Sequence, residues 1–165
     1  MADLTDTFYS GAGIHGYGAQ LLIGDGASPE AFEAFASVVS ITPGDMSTAV
    51  IEKTHLRSPD AHREKMAGLR DSGPFSVRLS YDPTHESQTN AGGGSGSFVS
   101  GGLFAIWVAR ETRNYKIVLN DGSPATEFPF TGIVTRCQLG EIGPDAKIEL
   151  TAEFTPVSDF SADLP

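Results

Sequence analysis

The 165-residue sequence holds a single cysteine, Cys137, which excludes an intrachain disulfide, a zinc ribbon and a secreted disulfide scaffold. Long apolar runs are missing too. The longest, Leu103 to Ala109, falls far short of the ~20 residues that cross a bilayer. Positive charge is scarce, with 11 Lys and Arg against 21 Asp and Glu and a net charge of −10. A surface of that sign repels phosphate, which disfavours nucleic-acid binding by the molecule as a whole. Residues 1–10 contain Asp3 and Asp6 but no Lys or Arg, so the basic start of a secretory signal is lacking and synthesis as a soluble protein in the cytoplasm is expected. Neither a Gly-x-Ser-x-Gly elbow nor a phosphate loop ending in Gly-Lys-Ser/Thr occurs, which removes two common enzyme signatures.

What is present suits one turn-rich domain with one core: 39% apolar residues, 19 Gly and 10 Pro. The domain is expected over residues 1–156, with 1–16 as an N-terminal arm and 157–165, carrying Asp159 and Asp163, as an acidic tail. The charge is unevenly placed. Residues 1–50 hold six acids and no Lys or Arg, and residues 81–165 hold eleven acids and five bases, whereas residues 51–80 carry Lys53, Arg57, Arg63, Lys65, Arg70 and Arg78 against four acids. A cationic segment thus sits in an anionic body. Two readings are open: the charges are simply solvated, or the segment reaches onto the acidic surface of a neighbouring copy.

Alternation of apolar and polar residues predicts antiparallel strands at Phe75–Tyr81 and Ala146–Phe154, and four more at 17–23, 46–52, 115–119 and 128–139. Asp25-Gly26, Gly44-Asp45, Asp82-Pro83, Asp121-Gly122 and Gly140 punctuate them. Six or more short strands imply a sandwich or barrel. Phe98, Leu103, Ile106, Trp107 and Arg110 recur near helical spacing and predict a helix over 98–112 covering one open face of the sheet, with Trp107 in the core. Ser58-Pro59-Asp60 reads as the start of a short helix ended by Gly68. Ser28-Pro29-Glu30 invites a helix over 29–36, but Val38, Val39 and Ile41 favour a strand within Phe32–Ile41. The tract Ala91-Gly-Gly-Gly-Ser-Gly-Ser97 reads as a surface loop.

Candidate chemistry is thin. Gly11-Ala-Gly13-Ile-His-Gly16 has the spacing of a dinucleotide loop, yet a short polar segment precedes it and a strand follows, the reverse of the order that puts a helix N-terminus on the pyrophosphate. The histidines His15, His55, His62 and His85 lack metal-ligand spacing. Cys137, on the alternate face that carries Ile133 and Leu139, has no base beside it and reads as a structural thiol. Carboxylates are plentiful but unpatterned, which neither supports nor excludes a hydrolase. No cofactor, metal or catalytic residue is expected.

The ordered series Tyr17-Gly-Ala-Gln-Leu-Leu-Ile-Gly-Asp-Gly-Ala-Ser-Pro-Glu, Ile41-Thr-Pro-Gly, Val50-Ile-Glu-Lys-Thr, Arg63 to Asp71, Val77-Arg-Leu-Ser-Tyr-Asp-Pro-Thr-His85, Lys116-Ile-Val-Leu-Asn-Asp-Gly122 and Phe128-Pro-Phe-Thr-Gly-Ile-Val134 resembles the major tail tube protein of long-tailed bacteriophages across residues 14–156. The resemblance implies a mainly β fold, an antiparallel β-sandwich or partly closed barrel with one flanking α-helix, related to the tube protein of type VI secretion systems. It also implies a structural, non-enzymatic role in the virion tail: rings, usually hexameric, that stack into a tube conducting DNA without binding it specifically. The implied partners are further copies of the chain and other tail proteins such as initiator and terminator. A loop that bridges adjacent rings in this family corresponds to residues 53–72, so Arg57, Arg63, Lys65 and Arg70 are the expected inter-ring contacts. In such a tube, edge strands become ring joints, and an anionic channel wall lets DNA slide. The tract 91–97 departs from typical members. A competing reading of the same fold class is a monomeric β-sandwich binding module, for carbohydrate for example, with Trp107 and tyrosines as stacking platforms.

Overall fold

The computed structural model describes residues 16–54, 62–88, 102–120 and 125–157. The expectations for the arm at 1–15, the loop at 91–97, Ser58-Pro59-Asp60 and the tail beyond Val157 lie outside the described residues. Among the described residues nine strands and one helix follow in the order β1 (Gln20–Gly24), β2 (Phe32–Ala34), β3 (Val38–Thr42), β4 (Met46–Glu52), β5 (Lys65–Ser72), β6 (Phe75–Ser80), α1 (Leu103–Ala109), β7 (Thr112–Val118), β8 (Glu127–Leu139) and β9 (Glu149–Pro156). Seven of them form one antiparallel sheet in the order β2-β1-β7-β8-β9-β6-β3, while among the described residues β4 and β5 pair only with each other.

All six expected strands form, and the differences at their ends have local causes. β1 begins at Gln20 because Gly18 takes a positive φ of 83° and the Ala19 N–H turns back to the Gly16 carbonyl. β9 begins at Glu149, after a turn in which the Ala146 N–H bonds the Gly143 carbonyl. Phe32–Ile41 is extended as the strand reading has it, not helical, but it splits into β2 and β3 at Ser37, whose φ of 58° breaks the ladder. The helix expected over 98–112 keeps only Leu103–Ala109 among the described residues: Arg110 turns left-handed at φ 55° and caps it through its N–H, and Thr112 already belongs to β7. The helix expected to end at Gly68 is overturned. Lys65–Ser72 is strand, since one short turn of helix is marginal in water, whereas Met66 and Lys65 gain cross-strand partners in Ile51 and Glu52.

The sheet is strongly curled but not a closed barrel. Laid flat, its seven strands would separate β2 from β3 by about 29 Å, yet only Phe35, Ala36 and Ser37 join them, a reach of at most about 14 Å. The edges must therefore approach each other, and β1 does come near β3. The core shows the same closure. Tyr115 stacks on Phe130 (centroids 5.3 Å apart) and Phe75 on Phe154 (4.9 Å), and the two pairs meet edge to face through Phe75–Phe130 at 4.5 Å and Tyr115–Phe154 at 5.1 Å. Leu21, Ile23, Val77, Leu79, Ile117, Val134 and Leu150 surround these rings. α1 lies against β8 and adds Leu103 and Ile106 to the core.

A bulge between Val134 and Arg136 corrects the expected face of Cys137. The extra residue reverses the alternation, so Cys137 sits opposite Ala152 and shares the core side with Val134, while Ile133 opposes Thr155. Partial burial pushes the Cys137 thiol up to about 11.

Candidate self-assembly surfaces

The β4–β5 hairpin stands apart from the sheet. The chain enters it from β3 through Pro43-Gly44-Asp45 and leaves through Gly73-Pro74 into β6. At its root a Cβ on Gly44 would fall on the Gly73 carbonyl oxygen and 2.6 Å from that of Pro74, so no other residue fits there without moving backbone. The Gly73 N–H bonds the Asp45 carbonyl at 2.8 Å. Every residue of β4 is exposed, and all of β5 except the half-buried Gly68 and Ser72. Ile51 faces Met66 across the ladder, with Ala49 and Gly68 on the same side, and Val50 faces Ala67 on the other. Leu69, at a register shift that leaves one residue extra on β5, is 85% exposed. A two-stranded ribbon with apolar residues on both faces is marginal alone in water and is a contact surface by its chemistry.

The segment 53–72 expected as an extended loop is thus, where described, the tip and second strand of this hairpin. Arg63, Lys65 and Arg70 are all exposed on it, and Arg57 lies outside the described residues. Lys53 and Glu64 pair at 3.3 Å near the tip, but Arg63, Lys65 and Arg70 make no ion pair among the described residues. On the sheet the opposite holds: Lys116 pairs with Glu127 at 2.9 Å, Arg136 with Glu153 at 3.2 Å and Arg78 with Glu149 at 3.5 Å. Cations of the sheet strands are internally matched, whereas Arg63, Lys65 and Arg70 of the hairpin have no ion pair among the described residues.

Strand edges provide a second surface. Among the described residues β2 and β3 end the large sheet, and β4 and β5 pair with each other. Beside β3 lies an apolar cleft of about 790 Å³ reaching Tyr17, Ile41 and Leu119. Exposed edges of this kind are templates for strand addition by another chain.

A curled antiparallel sheet with one helix and a projecting, unsatisfied hairpin is a subunit shape, and sequence comparison decides which. The family model of the lambda phage tail tube protein matches residues 20–136. The chain belongs to that family. This tail tube protein also has the fold of a chain from an extracellular contractile injection system, the PVC sheath-tube complex in its extended state (14% identity, TM-score 0.66, 94% of this chain and 95% of that one). A chain from the tail of an empty gene transfer agent particle, refined with C6 symmetry, is similar as well (14% identity, TM-score 0.60, 87% and 96%), as is one from the tube-terminating cap of the anti-feeding prophage (13% identity, TM-score 0.64, all of both chains). No curated protein sequence matches closely enough to add to these.

The tail tube protein departs from the sequence reading at Trp107. The indole is 42% exposed beside the exposed Val108, because the seven-residue helix turns only Leu103 and Ile106 into the core. Missed altogether was a buried polar knot after β6. Gln88 is fully buried, accepting from the Asp82 N–H at 2.9 Å and donating to the carbonyls of Ser80 (3.0 Å) and Ala36 (3.2 Å). The Ser87 N–H donates to His85 Nδ1 at 3.2 Å, and Ser87 Oγ accepts from the Ala36 N–H and lies 2.9 Å from the same Nδ1. Ser87 is buried and structural, not a nucleophile poised toward solvent. The only sequence signal was the turn Asp82-Pro83-Thr84, in which Thr84 hydroxyl and N–H hold the Asp82 carboxyl below its usual range. Among the described residues no cluster of three His, Cys, Asp or Glu could hold a metal, and no helix is long and apolar enough to cross a membrane.

Proposed function

We propose that this tail tube protein assembles with further copies of itself into stacked hexameric rings around a channel that conducts DNA, and that it has no enzymatic activity. The observation carrying this reading is the β4–β5 hairpin: it exposes Met46, Val50, Ile51, Met66 and Leu69 on a ribbon too thin to cover them itself. Burial against the next ring supplies the missing layer, at about 25 cal/mol for each Å² removed from water. The cations Arg57, Arg63, Lys65 and Arg70 meet the acidic body of that neighbour, since the chain carries −10 overall. Within a ring, the edge strand β3 pairs with an adjacent copy. The C6 symmetry of the gene transfer agent tail supports six copies per ring, and the net negative charge suits a wall along which DNA slides without sticking. Sheath and terminator proteins, named in the related injection-system assemblies, indicate the kinds of tail protein that flank such a tube.

Electron microscopy of the purified protein at rising concentration tests this directly. Rings and hollow tubes with a channel near duplex width are expected. The double variant R63E/R70E should keep the fold while stacking is lost; tubes unchanged in that variant would remove the hairpin cations from the inter-ring contact.

A further inference from the structure

The hairpin and the turn between β8 and β9 lie at opposite ends of the sheet. The β6–β9 ladder runs in unbroken register from Phe75↔Phe154 to Ser80↔Glu149. The hairpin joins β6 through Gly73 and Pro74, beside the first of these pairs. The turn joins β8 to β9 beyond Leu139↔Leu150, beside the second. The length of β9, about 23 Å at ~3.3 Å per residue, separates the two.

The two ends also carry complementary chemistry. On the turn, Ile142 and Leu139 are large apolar side chains left 73% and 40% exposed. Glu141 and Asp145 bracket Ile142 in sequence; both are exposed, and neither makes an ion pair among the described residues. Lys147 is the one cation of residues 140–148. The turn is held in shape by its own backbone, with the Gly140 N–H on the Glu149 carbonyl at 2.7 Å and the Ala146 N–H on that of Gly143 at 3.3 Å. The hairpin offers the converse: exposed Leu69 and Met66 beside Arg63, Lys65 and Arg70, cations without an ion pair among the described residues.

We propose that the β8–β9 turn of one copy is the seat for the β4–β5 hairpin of the next. Leu139 and Ile142 then cover Leu69 and Met66, and Glu141 and Asp145 face the hairpin cations. The inference rests on the stacked-tube reading and names the surface that receives the hairpin. Because the two patches differ and lie at opposite ends, each contact leaves a free hairpin at one end and a free turn at the other. A head-to-tail contact of that kind repeats without closing, whereas a patch that pairs with itself stops at a dimer.

Disulfide trapping on the full chain tests the contact. C137S/L69C/I142C, oxidised at the concentration where the parent assembles, should give a ladder of covalent multimers, while C137S with either new cysteine alone should give none beyond a dimer. E141K/D145K should melt like the parent but need at least about tenfold more protein to assemble, followed by light scattering. Adding R63E/R70E to it should bring assembly back toward the parent concentration. Absence of the ladder, unaltered assembly in E141K/D145K, or a charge swap that fails to rescue would each overturn the proposal. So would a bridge formed within one molecule at a dilution where light scattering gives the monomer mass. Microscopy of the parent reads tube formation separately: tubes without the ladder remove this contact alone, and a ladder without tubes removes the tube reading while keeping the contact.

Discussion

Gly44 and Gly73 lie back to back at the root of the β4–β5 hairpin, close enough that a side chain on the first would strike the carbonyl of the second. The contact fixes the angle at which the hairpin leaves the sheet, because both strands pass through it before separating. Replacing Gly44 by Ala must push the two backbones apart. We expect a loss of about 1–3 kcal/mol in unfolding free energy, together with failure to form tubes, measured by denaturant titration and microscopy; an alanine variant that assembles normally would show the root to be compliant.

Ile51 and Met66 face each other across the hairpin on the solvent side. Their apolar area is exposed in the subunit, so I51N/M66N should change monomer stability by less than about 0.5 kcal/mol. Assembly should move to markedly higher protein concentration, as followed by light scattering. A large drop in the monomer's melting temperature would mean that the pair supports the subunit rather than the interface.

Tyr115 is fully buried, and its hydroxyl has no hydrogen-bond partner among the described residues. Burial also drives its ionisation well above the usual tyrosine range. Removing only the oxygen relieves an unmet desolvation cost, so Tyr115→Phe should be neutral or raise stability by up to about 1 kcal/mol. Phe154→Ala, which takes one ring from the stacked set, should cost about 3–5 kcal/mol.

Gln88 satisfies one N–H and two carbonyls that link the β2–β3 crossing to the end of β6. Gln88→Leu leaves those groups buried and unpaired, at about 3 kcal/mol in total. The thermal midpoint should fall accordingly, and the amide of Asp82 should lose exchange protection before those of β9.

Cys137 gives a pH-dependent readout. Its folded-state value of about 11 lies above the 9.0 of an open thiol, so the folded protein holds the proton more tightly than the unfolded chain. The stability contributed is complete below pH 9 and is lost as pH rises through 11. Alkylation of the native thiol should accordingly be slow at pH 8 and accelerate toward pH 11. Rapid reaction at pH 8 without unfolding would contradict the burial of the sulfur.

Strand existence was legible from local alternation, and the cationic stretch that became the hairpin was found by counting charge, because both signals sit in contiguous residues. Phe75, Val77 and Leu79 announce the core face of β6 whatever surrounds them. The ordered motifs also point to the tail tube family. Tertiary structure decided what depends on residues far apart: that β5 is strand rather than helix, since its partners Ile51 and Glu52 lie across a turn; that one extra residue near Thr135 moves Cys137 to the side of Val134; that seven strands curl until Tyr115 and Phe154 touch; and that Gln88 is buried. Alternation reports which residues prefer to leave water. Register, bulges and the path of the chain settle what they meet there.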